Sequence, residues 1–155
     1  MLLDMMLYRA AFAPLSPTGM VLTVTLCVSA VFDLVSRRIP NLLLFFSLLA
    51  LIVIASLSGF YELLRLLVGA LFGIVLILPA YLCGSMGAGD VKLVGVVGAA
   101  VGALHVPSIL LSTIIIGGLL SSVLLLSKDK TVKESGVPYA IAISGGVLQH
   151  FIFLS

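Results

Sequence analysis

Charge is what this sequence lacks most. Only 9% of its 155 residues are Asp, Glu, Lys or Arg, against about 25% in soluble domains. That shortage excludes a solvated globular fold. With 62% hydrophobic residues and a mean hydropathy of +1.37, the chain reads as an integral membrane protein. Its net charge of +2 comes from residues in short connectors, not from a basic patch, so nucleic acid is not an expected partner. Cysteine is equally scarce. Cys27 and Cys83 stand in separate apolar segments without a CxxC pair, so neither a disulfide framework nor a metal site is expected, and both read as small buried hydrophobes. Residues 1–17 carry Asp4 and have no basic residue ahead of their apolar ones. They read as an interfacial lead-in and not as a cleaved signal.

What is present is a series of apolar stretches: Met20–Val35, Leu42–Leu57, Leu63–Leu82, Val91–Leu104, Ser108–Leu126 and Val137–Leu154. At roughly 20 residues per helical span, the chain holds about six spans and little else. The expectation is a single membrane-embedded domain over 1–155, an all-α integral membrane bundle of about six transmembrane helices. A β-barrel is excluded because its strands alternate apolar and polar positions, while these runs are apolar on all sides. Arg37, Arg38, Lys92, Lys128, Lys130 and Lys133 fall in the connectors after the first, third and fifth stretches, and only Arg9 and Arg65 fall on the other side. That asymmetry predicts those three connectors in the cytoplasm and both termini outside. No internal repeat is visible, which argues against an inverted-repeat transporter.

Two acids belong to the spans. Asp33 ends the first stretch, and Thr25, Ser29 and Asp33 recur every four residues. This spacing stacks them as a polar stripe on one helical face, turned into the bundle. Asp90 follows a glycine-rich break, Gly84-Ser85-Met86-Gly87-Ala88-Gly89, and the charge count places it on the same side as Asp33. The acids Asp4, Glu62, Asp129 and Glu134 read as solvated connector charges. His105 and His150 fall near the opposite ends of their spans, a membrane thickness from both aspartates, where an interfacial role is expected.

Two carboxylates facing each other across a wet cleft share a proton, because both cannot ionise easily. The ionised member can then take a proton from water while the protonated member donates to a carbonyl, the chemistry of an aspartic peptidase. Gly87 and Gly89 would give the acid pliable backbone, with unusual angles and close approach. Two other readings stay open on the residues alone. The glycine-rich stretch is also what a turn would use, with Asp90 capping the next helix. The same two acids could serve a small ion-coupled transporter or channel as a proton or cation relay, or belong to a purely structural membrane subunit.

Gly87-Ala88-Gly89-Asp90-Val91-Lys92-Leu93, together with Asp33 and Arg38-Ile39-Pro40-Asn41, resembles the type IV prepilin peptidase family of membrane aspartic peptidases, a GxGD-type architecture. Val137-Pro138-Tyr139-Ala140 is similar to a segment of its short Flp/Tad-type members. The resemblance implies cleavage of the leader from prepilin or pseudopilin precursors at the cytoplasmic face of the inner membrane, with Asp33 and Asp90 as the catalytic pair and no metal or other cofactor. Longer members carry a cysteine-containing cytoplasmic domain and also methylate the product. This sequence shows no such domain, so methyltransferase activity is not expected. Arg37 and Arg38 would anchor the helix end at anionic lipid or meet the acidic residue just after the cut. Lys92 would hold Asp90 ionised or snorkel to the interface.

Overall fold

The computed structural model describes residues 16–36, 38–84, 86–126 and 139–154, with the side chains of 123–126 and 151–154 left aside. Six helices are found there: α1 (Pro17–Ser36), α2 (Asn41–Ser58), α3 (Phe60–Leu82), α4 (Ala88–Val101), α5 (Val106–Leu126) and α6 (Tyr139–Leu154). The described residues include no strand, and the chain is an all-α membrane bundle. Arg37, Asp129, Glu134, the lysines at 128, 130 and 133, the Val137-Pro138 pair and nearly all of the lead-in lie outside the described residues.

Breakers set the boundaries. Pro40, with φ −62°, stands immediately before α2 and cannot continue the preceding helix. α2 and α3 are separated by one residue, Gly59, whose φ of 122° is backbone that a side chain would strain. Because the reversal is so short, α3 begins three residues earlier than the apolar pattern suggests. Glu62 therefore sits in its first turn, not in a connector, and is ion-paired to Arg65 at 2.8 Å.

α1, α2 and α3 are each long and apolar enough to cross a membrane, and α5 is apolar over Val106–Ser122. α4 differs. Its 14 residues make it about 21 Å long at 1.5 Å per residue, short of the roughly 30 Å hydrocarbon core. It is also enclosed: ten of its residues, Val91 and Leu93 through Val101, are buried. This central position explains why the segment is apolar all round.

Small residues let the other helices reach it. A Cβ on Gly69 of α3 would overlap the Gly98 carbonyl oxygen, and one on Gly73 would lie 2.9 Å from the Val94 carbonyl oxygen. The α3–α4 seam is thus backbone against backbone, the close approach that small-xxx-small spacing permits in lipid. α5 and α6 meet the same way, with Gly146 against Thr113 and the Ile109 carbonyl. A Cβ on Gly118, by contrast, would meet nothing within 4 Å among the described residues.

The two cysteines depart from expectation. Both are free and exposed, not buried. The inward face of α1 is Leu22, Thr25, Leu26, Ser29 and Asp33, which leaves Cys27 outside it, and Cys83 has already passed the end of α3.

Candidate active site

The up-and-down course of the helices brings the end of α1, the start of α2, the mouth of α4 and the start of α6 to one end of the bundle. Asp33 comes from α1. The stripe predicted from spacing does face inward, with Thr25, Ser29 and Asp33 exposed by 1%, 0% and 8%. Thr25 donates to the Ser47 hydroxyl at 2.7 Å, and Ser47 donates on to the Leu43 carbonyl, which joins α1 to α2. Ser29 Oγ, one turn before Asp33, is buried and has no hydrogen-bond partner among the described residues. Asp33 itself reaches α6, where its Oδ2 accepts the main-chain N–H of Ala140 at 3.0 Å. The first turn of a helix has N–H groups with no partner inside the helix, so a buried carboxylate can settle there.

Asp90 comes from the first turn of α4, ahead of that helix's apolar run. Its Oδ2 accepts the N–H of Gly87 at 3.1 Å, while its own N–H donates to the Gly87 carbonyl. The result is a capping arrangement. Asp90 therefore does cap the helix it opens, as a turn reading of the glycine stretch would have it. The cap fills only one lone-pair position of one oxygen, and a carboxylate has about four. Burial pushes the Asp90 carboxyl up to about 6, opposed by the Gly87 N–H and helped by the negative charge of Asp33. Asp90 thus lies within reach of the Asp33 charge.

The glycines act differently from expectation. Gly87 has φ −80° and ψ 156°, ordinary extended backbone, and Gly89 lies inside α4. Neither has a positive φ. In this stretch that conformation falls to Gly84, at 73°, because the reversal after α3 occurs there and the chain is already aligned for α4 by residue 87. Nor does Gly89 make an unusually close approach: a Cβ on it would stand 3.4 Å from the Ile39 side chain, about ordinary van der Waals contact. Ile39 belongs to the connector that follows Asp33, so the two motifs touch.

Lys92 is exposed, and its Nζ donates to Asn41 Oδ1 at 2.9 Å. It therefore spans from α4 to the first residue of α2, and this hydrogen bond goes to Asn41 and not to Asp90. Arg38 is exposed at the same end, and Arg37 falls outside the described residues. Among the described residues no group of three or more His, Cys, Asp or Glu could hold a metal ion. Two partners were missed by sequence reasoning. The Ala140 N–H is a main-chain group that no side-chain pattern marks, and Asn41 lies 51 positions from Lys92.

The other end of the bundle has a polar cluster of its own. The rings of His105 and His150 meet edge-on with centroids 5.1 Å apart, and burial, then His150 and Arg65, hold His105 below the usual imidazole range. A cleft lined by Thr18, Ser58, Glu62 and Arg65 also opens there. None of this adjoins the aspartates.

Comparison with known families matches the model described as the type IV leader peptidase family to residues 20–122. That range takes in both aspartates, the Ile39–Gly89 contact and the Asn41–Lys92 bond, and stops before α6. No curated protein and no solved structure was found to match. With about two thirds of its length matched, and with the two acid motifs in contact at one end of a helical membrane bundle, the chain belongs to the type IV leader peptidase family.

Proposed function

We propose that this peptidase is an aspartic endopeptidase that cuts the leader from prepilin or pseudopilin precursors, of the Flp/Tad type, at the cytoplasmic face of the inner membrane. The observation that carries the reading is that the segments bearing Asp33 and Asp90 lie side by side at one end of the bundle, through Ile39 and Gly89, with the Asp33 charge acting on Asp90. Asp90, whose carboxyl is pushed up to about 6, is the member that holds the shared proton and donates it to the scissile carbonyl. Asp33 takes a proton from the attacking water. The tetrahedral intermediate then collapses with protonation of the leaving amine. Hydrolysis needs no other reactant than water.

The orientation rests on the charge asymmetry of the connectors. A precursor whose basic leader lies in the cytoplasm presents its junction at the membrane surface, at the depth of the helix ends that carry the two acids. Arg38, at this end, is available for anionic lipid headgroups or for an acidic residue just past the cut.

The test is co-expression with a Flp-type prepilin in cells lacking their own peptidase. Appearance of the shortened pilin, with a cysteine placed at 38 labelled only from the cytoplasmic side, is the expected result. An unshortened pilin, or labelling from the outside, contradicts it.

A further inference from the structure

We propose that the Asn41–Lys92 hydrogen bond, with the Ile39–Gly89 contact beside it, is a clamp that fixes the spacing of the two aspartates, and that Asn41 and Lys92 are positioning residues of the hydrolysis. This rests on the aspartate-pair reading above.

The two acids are held in register by separate supports. Asp33 is near the C-terminal end of α1, and Asp90 is in the first turn of α4. Asp33 is fixed to α6 through Ala140, and Asp90 to its own helix through Gly87. Neither of these bonds links one acid's support to the other's. Beside the direct packing of α4 on α1, α2 and α6, a link is made by the connector after α1. Pro40 has a fixed φ, and the residues on either side of it reach α4: Ile39 against Gly89 and Asn41 to Lys92. One contact is apolar and sets the depth of approach. The other is directional and sets the register along the helix.

The placement of Lys92 fits this role better than a direct one on Asp90. Residues two apart on a helix do not face each other, so a side chain at 92 is turned well away from that at 90. The ammonium instead donates to a neutral amide oxygen. The ammonium keeps its charge, but its hydrogen bond is directed to α2 and not to the Asp90 carboxyl.

An exposed hydrogen bond contributes little to global stability, but small misplacements of reacting groups are costly to rate, about a hundredfold for 1 Å. The clamp therefore shows in turnover more than in folding. Both side chains are exposed, so truncating them leaves no buried group unpaired.

The experiment is steady-state cleavage of a synthetic prepilin peptide by N41A, K92M and N41A/K92M, with D33N and D90N alongside. Each single substitution is expected to lower kcat about tenfold, a fraction of the 1 Å penalty, with KM within about twofold. The double variant is expected to be no worse than the poorer single, since both remove one interaction. N41D, whose carboxylate still accepts from Lys92, is expected to recover most of what N41A loses. Losses that multiply in the double variant, a loss confined to KM, or an N41D as poor as N41A overturns the clamp while leaving the aspartate pair standing, provided D33N and D90N are inactive. Full cleavage by either Asn variant overturns the pair and the clamp together.

Discussion

Asp33 Oδ2 accepts the main-chain N–H of Ala140 at 3.0 Å across 107 positions of sequence. One acid of the proposed pair is thus also the cap of the last helix. Asp90 has the same double use, closing the first turn of α4 through Gly87. Each carboxylate is held by a helix N-terminus and keeps acceptor capacity for a substrate or a water.

This double use separates two substitutions at one position. Asp33→Asn keeps an oxygen that can accept from Ala140, so the fold should stand while cleavage falls by about 10²–10⁴, the range lost when a general acid or base is removed. Asp33→Ala should lose cleavage and also about 1 kcal/mol of stability, as other lost caps do. Thermal unfolding in detergent beside a cleavage assay reads both, and equal stability of the two variants would remove the capping role.

The pH dependence follows from Asp90. Its carboxyl is raised to about 6, so the folded state holds a proton there that the unfolded chain has released. That contribution to stability is complete at pH below the ordinary carboxylate range and is lost as pH rises through about 6. As proton donor, Asp90 also makes kcat/KM of the free enzyme decline above about pH 6. Titration of both between pH 4 and pH 8 checks this, and Asp90→Asn should flatten the stability curve. A rise of stability over that window would reverse the sign and contradict the assignment.

Much of this was legible in the chain, for physical reasons. The four-residue spacing of Thr25, Ser29 and Asp33 forces a common face, and burying polar groups away from lipid turns that face inward. The first two apolar runs ended within a residue of the helices, α1 at Ser36 and α2 at Ser58 before Gly59. Other features were out of reach because they depend on pairings between distant segments. Lys92 could reach water, lipid or Asp90 as easily as Asn41 until α2 and α4 were placed. The exposure of Cys27 depended on which face of α1 the bundle took. The meeting of His105 and His150 needed the ends of α4 and α6 side by side. Gly87 and Gly89 stood in the motif, yet the backbone demand fell on Gly84, since only the fold decides where the reversal is.

The backbone seam between α3 and α4 makes a sharp contrast among glycines. Gly69→Ala places a methyl into the Gly98 carbonyl and should destabilise by about 1–3 kcal/mol, the usual range of overpacking. Gly118→Ala meets nothing among the described residues and should be neutral or stabilising by up to about 1 kcal/mol through helix propensity. Equilibrium unfolding of the two variants in one detergent distinguishes them, and similar values would dissolve the seam.

Ser29 offers a prediction of unusual sign. Its hydroxyl is buried with no partner among the described residues, and leaving such a group unsatisfied costs about 1–3 kcal/mol. Ser29→Ala should therefore stabilise the protein, where most buried substitutions destabilise. A clear loss of stability on measuring the same unfolding transition would mean that the hydroxyl is paired.

The central claim is that Asp33 and Asp90 together hydrolyse one peptide bond in a pilin precursor. The most direct measurement is incubation of the purified protein with a synthetic prepilin, followed by mass mapping of the products, for the native chain, D33N and D90N. The account predicts a single cut between the basic leader and the apolar pilin helix, made by the native protein and absent from both variants. An intact precursor after incubation with the native protein, or the same cut made at the native rate by either variant, would contradict it.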